Sequence, residues 1–470
     1  MRTERRGGGL RERAGETRPY TERTLPVSTR LERFTQKARE EPQTRFTALM
    51  GMVFDPEGLR ESFERQDGNK APGVDGIRKA DYGEDLDNRL MDLSGRLRRL
   101  GYRPKPVRRS YIPKGDGRYR PLGVPSFEDR LVQDRLSGIL QAIWEPEFCE
   151  CSYGFRSGRS AHDALRRVAE VITNEGTQWV VEADIKGFFD HVSHTHLMRF
   201  LSHRIGDPGV LRMVQRFLKG GVMEDGVFTA SEAGTPQGGL VSPVLSNIYL
   251  HYVLDLWFEK RYARNCAGKA YLIRYADDFV ACFEQEADAR GFLRELEQRL
   301  RQFALEVEPS KTAILRFGSQ ALGAVRPQTR EPRTFSFLGF THYVGRSRKG
   351  RFVVGRKTDA RRMSRKLKLL NERLRRLRTQ GGQAMVSYVG RHLRGHIQYY
   401  GVSGNSQGVS GYVYFATRLL FKWLNRRSQR RSLDWSRFRE VIRPQLPTAR
   451  IVHDLYPVPW WMTQTGSRMV

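Results

Sequence analysis

Tyr271-Leu272-Ile273-Arg274-Tyr275-Ala276-Asp277-Asp278-Phe279-Val280-Ala281-Cys282-Phe283 sets two acids between two apolar, β-prone runs. This pattern predicts a strand, a tight turn and a second strand, with the carboxylates at the tip. Aspartates often sit in turns for purely local hydrogen bonding, so the pair alone says little. The flanking runs are apolar enough to be buried, however, so the acids should project from the edge of a packed sheet. A further acid, Asp184, follows another apolar run, Trp179-Val180-Val181, within Ala183-Asp184-Ile185-Lys186-Gly187-Phe188-Phe189-Asp190. Three clustered carboxylates repel one another and take up protons unless cations compensate them. Oxygen-only donors suit Mg²⁺, which keeps waters and accepts phosphates as its other ligands. Two such ions about 3.5–4 Å apart can activate a 3′-hydroxyl and stabilise a leaving pyrophosphate. That chemistry is nucleotidyl transfer.

Outward from the hairpin the pattern is α+β. Strands and helices alternate between 179 and 345 without a strict βαβ repeat. Phe292, Leu296, Leu300 and Phe303 mark one helix face, and apolar residues at 131, 132, 136, 139, 140 and 143 mark another. Residues 86–100 also read as helix. Residues 111–120 read as a hairpin turning at Gly115-Asp116-Gly117. Downstream, Met363, Leu367, Leu370, Leu374 and Leu377 step by 4, 3, 4 and 3, which predicts a long amphipathic helix.

Charge points the same way as the acids. The 470 residues carry 82 Lys+Arg against 52 Asp+Glu, a formal net charge of +30. Such an excess predicts salt-sensitive attraction to a polyanion, most simply nucleic acid. It is most one-sided at 355–431, with 19 Lys+Arg against two acids, Asp359 and Glu372. That ratio leaves little intrahelical ion pairing, so Arg365, Lys368, Arg375 and Arg376, off the apolar seam, are expected to meet RNA or DNA. Residues 1–30, with Gly7-Gly8-Gly9 and eight arginines, read as a disordered basic tail. Four cysteines make no disulfide framework, and none of their spacings matches the C-x₂₋₄-C of a zinc site. A reducing, cytoplasmic-type setting follows, and neither a signal peptide nor an 18-residue apolar run is evident.

The motifs then extend in a fixed order. Arg120-Pro121-Leu122-Gly123-Val124-Pro125 precedes Ser152-Tyr153-Gly154-Phe155-Arg156-Ser157-Gly158-Arg159-Ser160 and the Asp184 block. Gly234-Thr235-Pro236-Gln237-Gly238-Gly239, Tyr275-Ala276-Asp277-Asp278, Lys311-Thr312 and Phe337-Leu338-Gly339-Phe340 follow. This series over residues 120–340 resembles the reverse transcriptases, with their YxDD box, and most closely the group II intron-encoded ones, also called maturases.

The resemblance implies a right-hand polymerase: fingers, a palm with an antiparallel sheet, and an α-helical thumb fused to a maturase segment. The implied layout is a tail at 1–30, an N-terminal extension and fingers at 31–165, and a palm at 166–350. A thumb and maturase segment at 351–435 and a C-terminal tail at 436–470 complete it. Asp184, Asp277 and Asp278 would be catalytic and hold two Mg²⁺ ions, with Mn²⁺ as a substitute and the Ile185 carbonyl as a minor ligand. Lys114 and Arg120 would take the nucleotide triphosphate, and Phe189 would bar a ribose 2′-hydroxyl. Gln237 would lie where backbone approaches a base pair, and Lys311 would aid the leaving pyrophosphate. Tyr388, His396, Tyr399-Tyr400 and Trp423 fit either base stacking or a core.

The implied partners are an RNA template (a group II intron RNA), a DNA target or primer, and dNTPs, with no membrane. The expected work is cDNA synthesis at a DNA target, with help in intron splicing. Residues 436–470 lack the cysteines of the HNH endonuclease that ends many relatives, so second-strand cutting is not expected. Two alternatives stand beside this: a non-mobile bacterial reverse transcriptase in phage defence, retron- or CRISPR-linked, and an RNA-binding splicing factor without polymerase activity. The segment 355–431 weighs against the first, and the three intact carboxylates against the second.

Overall fold

The computed structural model describes residues 27–113, 119–235, 238–322, 334–347, 349–427 and 433–457. Strands β1 (Val107–Pro113) and β2 (Tyr119–Val124) form the hairpin expected between 111 and 120. β3 (Trp179–Ala183) leads directly into Asp184. β4 (Val222–Glu224) and β5 (Val227–Thr229) extend the first hairpin into a sheet of order β2-β1-β4-β5. β6 (Ala270–Tyr275), β7 (Asp278–Phe283) and β8 (Ala313–Arg316) complete a central sheet of order β6-β7-β3-β8, antiparallel throughout. β9 (Thr334–Phe337), β10 (Phe340–Arg346) and β11 (Phe352–Thr358) make a third sheet.

Side-chain alternation sorts the central strands onto two cores. Val181, Ala183, Leu272, Phe279, Ala281 and Phe283 enter one, together with helices Phe127–Trp144 and Glu286–Arg301. Val180, Ile273, Val280, Cys282 and Leu315 enter the other, with helix Ala161–Thr173 and the C-terminal helices. A sheet buried on both faces needs continuous apolar strands, which is why these read as unbroken hydrophobic runs. Polar side chains of these strands gather towards the end where Asp184 and Asp278 lie.

Helices Ala360–Leu377, Gly382–Tyr400 and Ser406–Asn425 pack beyond the third sheet. The expected seam is real: Leu370, Leu374 and Leu377 are buried, and Met363 and Leu367 are half-buried. Asp359, one of the two acids in the basic stretch, caps the first helix by accepting from the Arg362 N–H at 2.8 Å.

Several expected boundaries cut through continuous structure. Val27–Glu40 is helical, so the tail expected over 1–30 runs into a helix; residues 1–26 lie outside the described residues. The division at 165 falls inside helix Ala161–Thr173, and the one at 350 separates β10 from its partner β11. The segment set apart as a C-terminal tail is packed: Phe438, Leu446 and Leu455 are buried in the second core, and residues 458–470 are outside the described ones. Its apolar anchors are too widely spaced to betray a regular element. Among the described residues, no helix is long and apolar enough to cross a membrane.

Candidate active site

In the β6–β7 hairpin Tyr275 pairs with Asp278, leaving Ala276-Asp277 as the whole turn. Ala276 sits at φ +57°, a left-handed conformation that a residue with a Cβ rarely adopts. Its neighbours hold it there. Arg274 is fully buried, and its Nη1 donates to the Ala276 carbonyl (3.0 Å) and to Asn247 Oδ1 (3.0 Å). Its Nε and Nη2 donate to Asp255 Oδ1 and Oδ2 at 2.7 and 2.5 Å, and Nη2 also reaches Ser152 Oγ at 2.7 Å. Asn247 Nδ2 in turn donates to the Gly154 carbonyl at 2.7 Å. Gly154 lies so close to the turn that a Cβ there would stand 2.4 Å from the Ala276 nitrogen.

Asp184 reaches the same edge through strand register. Ala183 pairs with Phe279, so the next step along the ladder sets Asp184 beside Asp278. The chain after β3 is fixed by a second bridge, Ile185 with Val307, in which Glu308 N–H donates to the Asp184 carbonyl (2.8 Å) and Lys186 N–H to the Glu306 carbonyl (2.9 Å). The bonds flank Ile185, so its own peptide groups point away from that ladder. The same turn delivers Lys311, whose Nζ donates to Asp184 Oδ2.

The electrostatics are those of crowded acids. Partial burial, with Asp184 nearby, pushes the Asp277 carboxyl above its usual range; Arg120 and Lys311 pull it back. Burial, then Asp277 and Asp184, push Asp278 up to about 6, opposed by Arg362 and Lys311. Each proton that a carboxyl keeps here reflects charge without enough cation beside it. Lys311 supplies one such cation in the protein alone. An oxygen-only donor set of this kind fits a hard divalent ion such as Mg²⁺.

The other expected residues surround this edge to different degrees. Phe188 is buried, whereas Phe189 is half-buried. The glycine-rich loop passes over it: Thr235 N–H donates to the Phe189 carbonyl at 2.8 Å, and Gly234 N–H to the Val192 carbonyl at 2.8 Å. Gly238, at φ +115°, abuts β2, where any Cβ would stand 2.5 Å from the Gly123 carbonyl oxygen. Arg120 is exposed on β2 and faces Asp277 closely enough to favour its ionised form. Lys114 and Gln237 lie outside the described residues.

Arg365, Lys368, Arg375 and Arg376 are all exposed on the outer face of helix Ala360–Leu377. For the aromatics, the core reading holds at three positions: His396, Tyr400 and Trp423 are buried. His396 stacks on Tyr412 at 3.7 Å between centroids, and Trp423 Nε1 donates to Asn371 Oδ1 at 2.8 Å. Tyr388 and Tyr399 are half-buried.

Residues 112–342 match the family model described as reverse transcriptase (RNA-dependent DNA polymerase), the span that holds every acid of this edge. Over 236 residues the chain is 35% identical to the group II intron-encoded protein LtrA of Lactococcus lactis subsp. cremoris. Residues 112–342 are a reverse transcriptase domain of the group II intron-encoded type. It is also 38% identical over 238 residues to the protein YkfC of Escherichia coli, and 33% identical over 95 residues to the nuclear intron maturase 1, mitochondrial, of Arabidopsis thaliana. Each of the two longer matches covers 49% of this chain, with 62% of YkfC and 39% of LtrA. The chain thus spans less than two thirds of either relative.

Four polar groups at or beside this edge escaped the sequence reading. Glu182, on β3, is a fourth carboxyl near the edge. Burial pushes it up to about 7, with Asp278 and Asp184 adding to the effect, while its Oε1 accepts from Ser336 N–H at 3.2 Å. Arg274, Asp255 and Asn247 are the other three. The available signal was charge inside apolar runs: Arg274 after Leu272-Ile273, and Asp255 between Val253-Leu254 and Leu256-Trp257.

Proposed function

We propose that the chain is an RNA-directed DNA polymerase that copies an RNA template into cDNA by two-metal nucleotidyl transfer. The observation that carries the proposal is the convergence of Asp184, Asp277 and Asp278 at one end of a doubly buried sheet. Asp184, Asp277 and Asp278, with the Ile185 carbonyl, would hold Mg²⁺, for which Mn²⁺ would substitute. When bound, the ions supply activation of the primer 3′-hydroxyl and charge stabilisation for the leaving pyrophosphate. In the reaction the 3′-oxygen gains the α-phosphorus as the bond to the β-phosphate breaks and the hydroxyl loses its proton.

The protein's own groups position these partners. Arg120 and Lys114 hold triphosphate oxygens, where an Arg fork takes two at once. The Phe189 ring fills the space that a ribose 2′-hydroxyl would need. Gln237 and its glycines bring backbone against the new base pair, and Lys311 exchanges Asp184 for developing phosphate charge. The β1–β2 sheet would then be fingers, the central sheet the palm, and the C-terminal helices the thumb and maturase segment. Arg365, Lys368, Arg375 and Arg376 grip RNA phosphates.

In this reading the RNA is a group II intron, the primer comes from a DNA target, and the protein also assists splicing. The setting is a ribonucleoprotein of the bacterial cytoplasm. Extension of a DNA primer on an RNA template with dNTPs and Mg²⁺ tests the core claim. Full-length cDNA supports it; RNA binding with no extension at any Mg²⁺ or Mn²⁺ level would leave a splicing factor without polymerase activity.

A further inference from the structure

A second donor cluster lies behind the acidic hairpin, and its chemistry is different. Cys149 and Cys151 come from the loop after helix Phe127–Trp144, and Glu259 from the helical stretch that starts at Ser242. The two Sγ atoms and a Glu259 carboxylate oxygen all lie within 4.8 Å of one another. Both thiols are free and buried, while Glu259 is partly exposed. Cys151 and Glu259 also line a surface cavity of about 440 Å³, which gives an ion a way in.

The helix is shaped to present these donors. It widens into two π turns, His251–Asp255 and Phe258–Tyr262, a rare geometry that recurs at functional sites. The wider turns keep His251, Asp255 and Glu259, each four residues on, along one line facing the cysteine loop. His251 Nδ1 lies 3.8 Å from Cys149 Sγ, Asp255 holds Arg274, and Glu259 meets the thiols. Sulfur donors exclude Mg²⁺ and Ca²⁺ and select zinc-class ions, which take Cys sulfur and Glu oxygen in tetrahedral sites. A Zn–S bond of about 2.3 Å needs sulfurs somewhat closer than 4 Å, so small side-chain rotations suffice.

We propose that Cys149, Cys151 and Glu259 bind one zinc-class ion, with cavity water in the fourth position and His251 beside Cys149. The C-x-C spacing is too short to suggest a zinc pair in sequence; the third donor, Glu259, comes from a helix far along the chain. The consequence is mechanical. Arg274 N–H donates to the Cys151 carbonyl and Tyr153 N–H to the Arg274 carbonyl, both at 2.8 Å. An ion bridging Cys151 and Glu259 therefore clamps loop and helix to β6, the strand that leads to Asp277. This holds whether or not the acidic edge polymerises nucleotides.

The test uses the full chain, stripped with chelator under reducing conditions, and Co²⁺ as the probe. One equivalent should give a thiolate-to-cobalt charge-transfer band that Zn²⁺ displaces, and the Asp277→Asn variant should give the same band, since the acidic edge has no sulfur. Cys149→Ser and Cys151→Ser should each abolish it. Glu259→Gln, at a partly exposed position that leaves folding intact, should weaken Co²⁺ by roughly tenfold to a hundredfold. Absence of the band in the wild type, or a band that survives either serine substitution, would overturn the proposal. So would unchanged Co²⁺ affinity in Glu259→Gln.

Discussion

Arg274 Nη1 donates to the Ala276 carbonyl at 3.0 Å, so the buried ion pair with Asp255 is bonded directly to the turn that carries Asp277. Neither partner of the pair touches solvent. Removing one would strand the other charge at a cost of about 3–5 kcal/mol. Such a pair contributes geometry more than net stability. Here it fixes a left-handed alanine that would relax if left alone.

Arg274→Lys keeps the charge but loses the planar fork that serves Asp255, Asn247, Ser152 and Ala276 together. Primer extension should slow by about a hundredfold, the size of effect expected when a reacting group is displaced by about 1 Å. Nucleotide KM and RNA affinity should change far less, since neither depends on the turn. Steady-state kinetics with a filter-binding control separate the two; wild-type kcat in this variant would show that the turn holds itself.

Phe189→Val opens space beside the glycine loop while leaving the buried Phe188 in place. Ribonucleotide incorporation should rise relative to deoxyribonucleotide in competitive single-nucleotide extension. An unchanged ratio would reassign the ring to packing.

Neutralising Arg365, Lys368, Arg375 and Arg376 to glutamine should lower the salt slope of log RNA affinity by roughly three, at about 0.7–0.9 per phosphate contact. The Leu370, Leu374 and Leu377 seam is untouched, so the melting temperature should barely move. Binding of a long structured RNA should suffer more than extension on a short preformed primer–template. Equal slopes in titrations over several salt concentrations would mean that these cations face water alone.

His342 is buried in the third sheet, stacked on Phe335 at 4.6 Å and near the buried Arg356. Burial first, and then Arg356, push its pKa from 6.5 down to about 3. The unfolded chain takes a proton near pH 6.5 and the folded one does not, so stability is lost as pH falls below that value. Relative to His342→Phe, the wild type should lose up to about 1.4 kcal/mol per pH unit in that window. Urea midpoints of both proteins above and below pH 6.5 check it: a gap independent of pH would place the ring in contact with solvent.

The legible parts of the fold were those with one-dimensional signatures. The β6–β7 hairpin showed in Tyr271-Leu272-Ile273 and Phe279-Val280-Ala281 because burial on both faces demands unbroken apolar strands. The helix Ala360–Leu377 showed through its seam, and its capping Asp359 explains one of the two acids in the basic stretch. What stayed hidden depends on which distant side chains meet. Arg274 and Asp255 are 19 residues apart and fully buried, yet each alone resembles a misplaced charge in an apolar run. Glu182 stayed hidden because Asp278 reaches it only through strand register, and the two-residue step from Glu182 to Asp184 carries no signal of its own. His396, Tyr400 and Trp423 could not be told from stacking residues by spacing, since a helical core and a helical binding face share one period.

Asp277→Asn is the most direct measurement on the central claim. It keeps size and hydrogen bonding at the turn but removes one negative donor from the edge that Asp184 and Asp278 complete. Primer extension on RNA should fall by several orders of magnitude, while RNA affinity should stay near that of the wild type, since the proposed RNA contacts lie on the exposed basic helix and not at the turn. Extension at the wild-type rate in this variant would contradict the account.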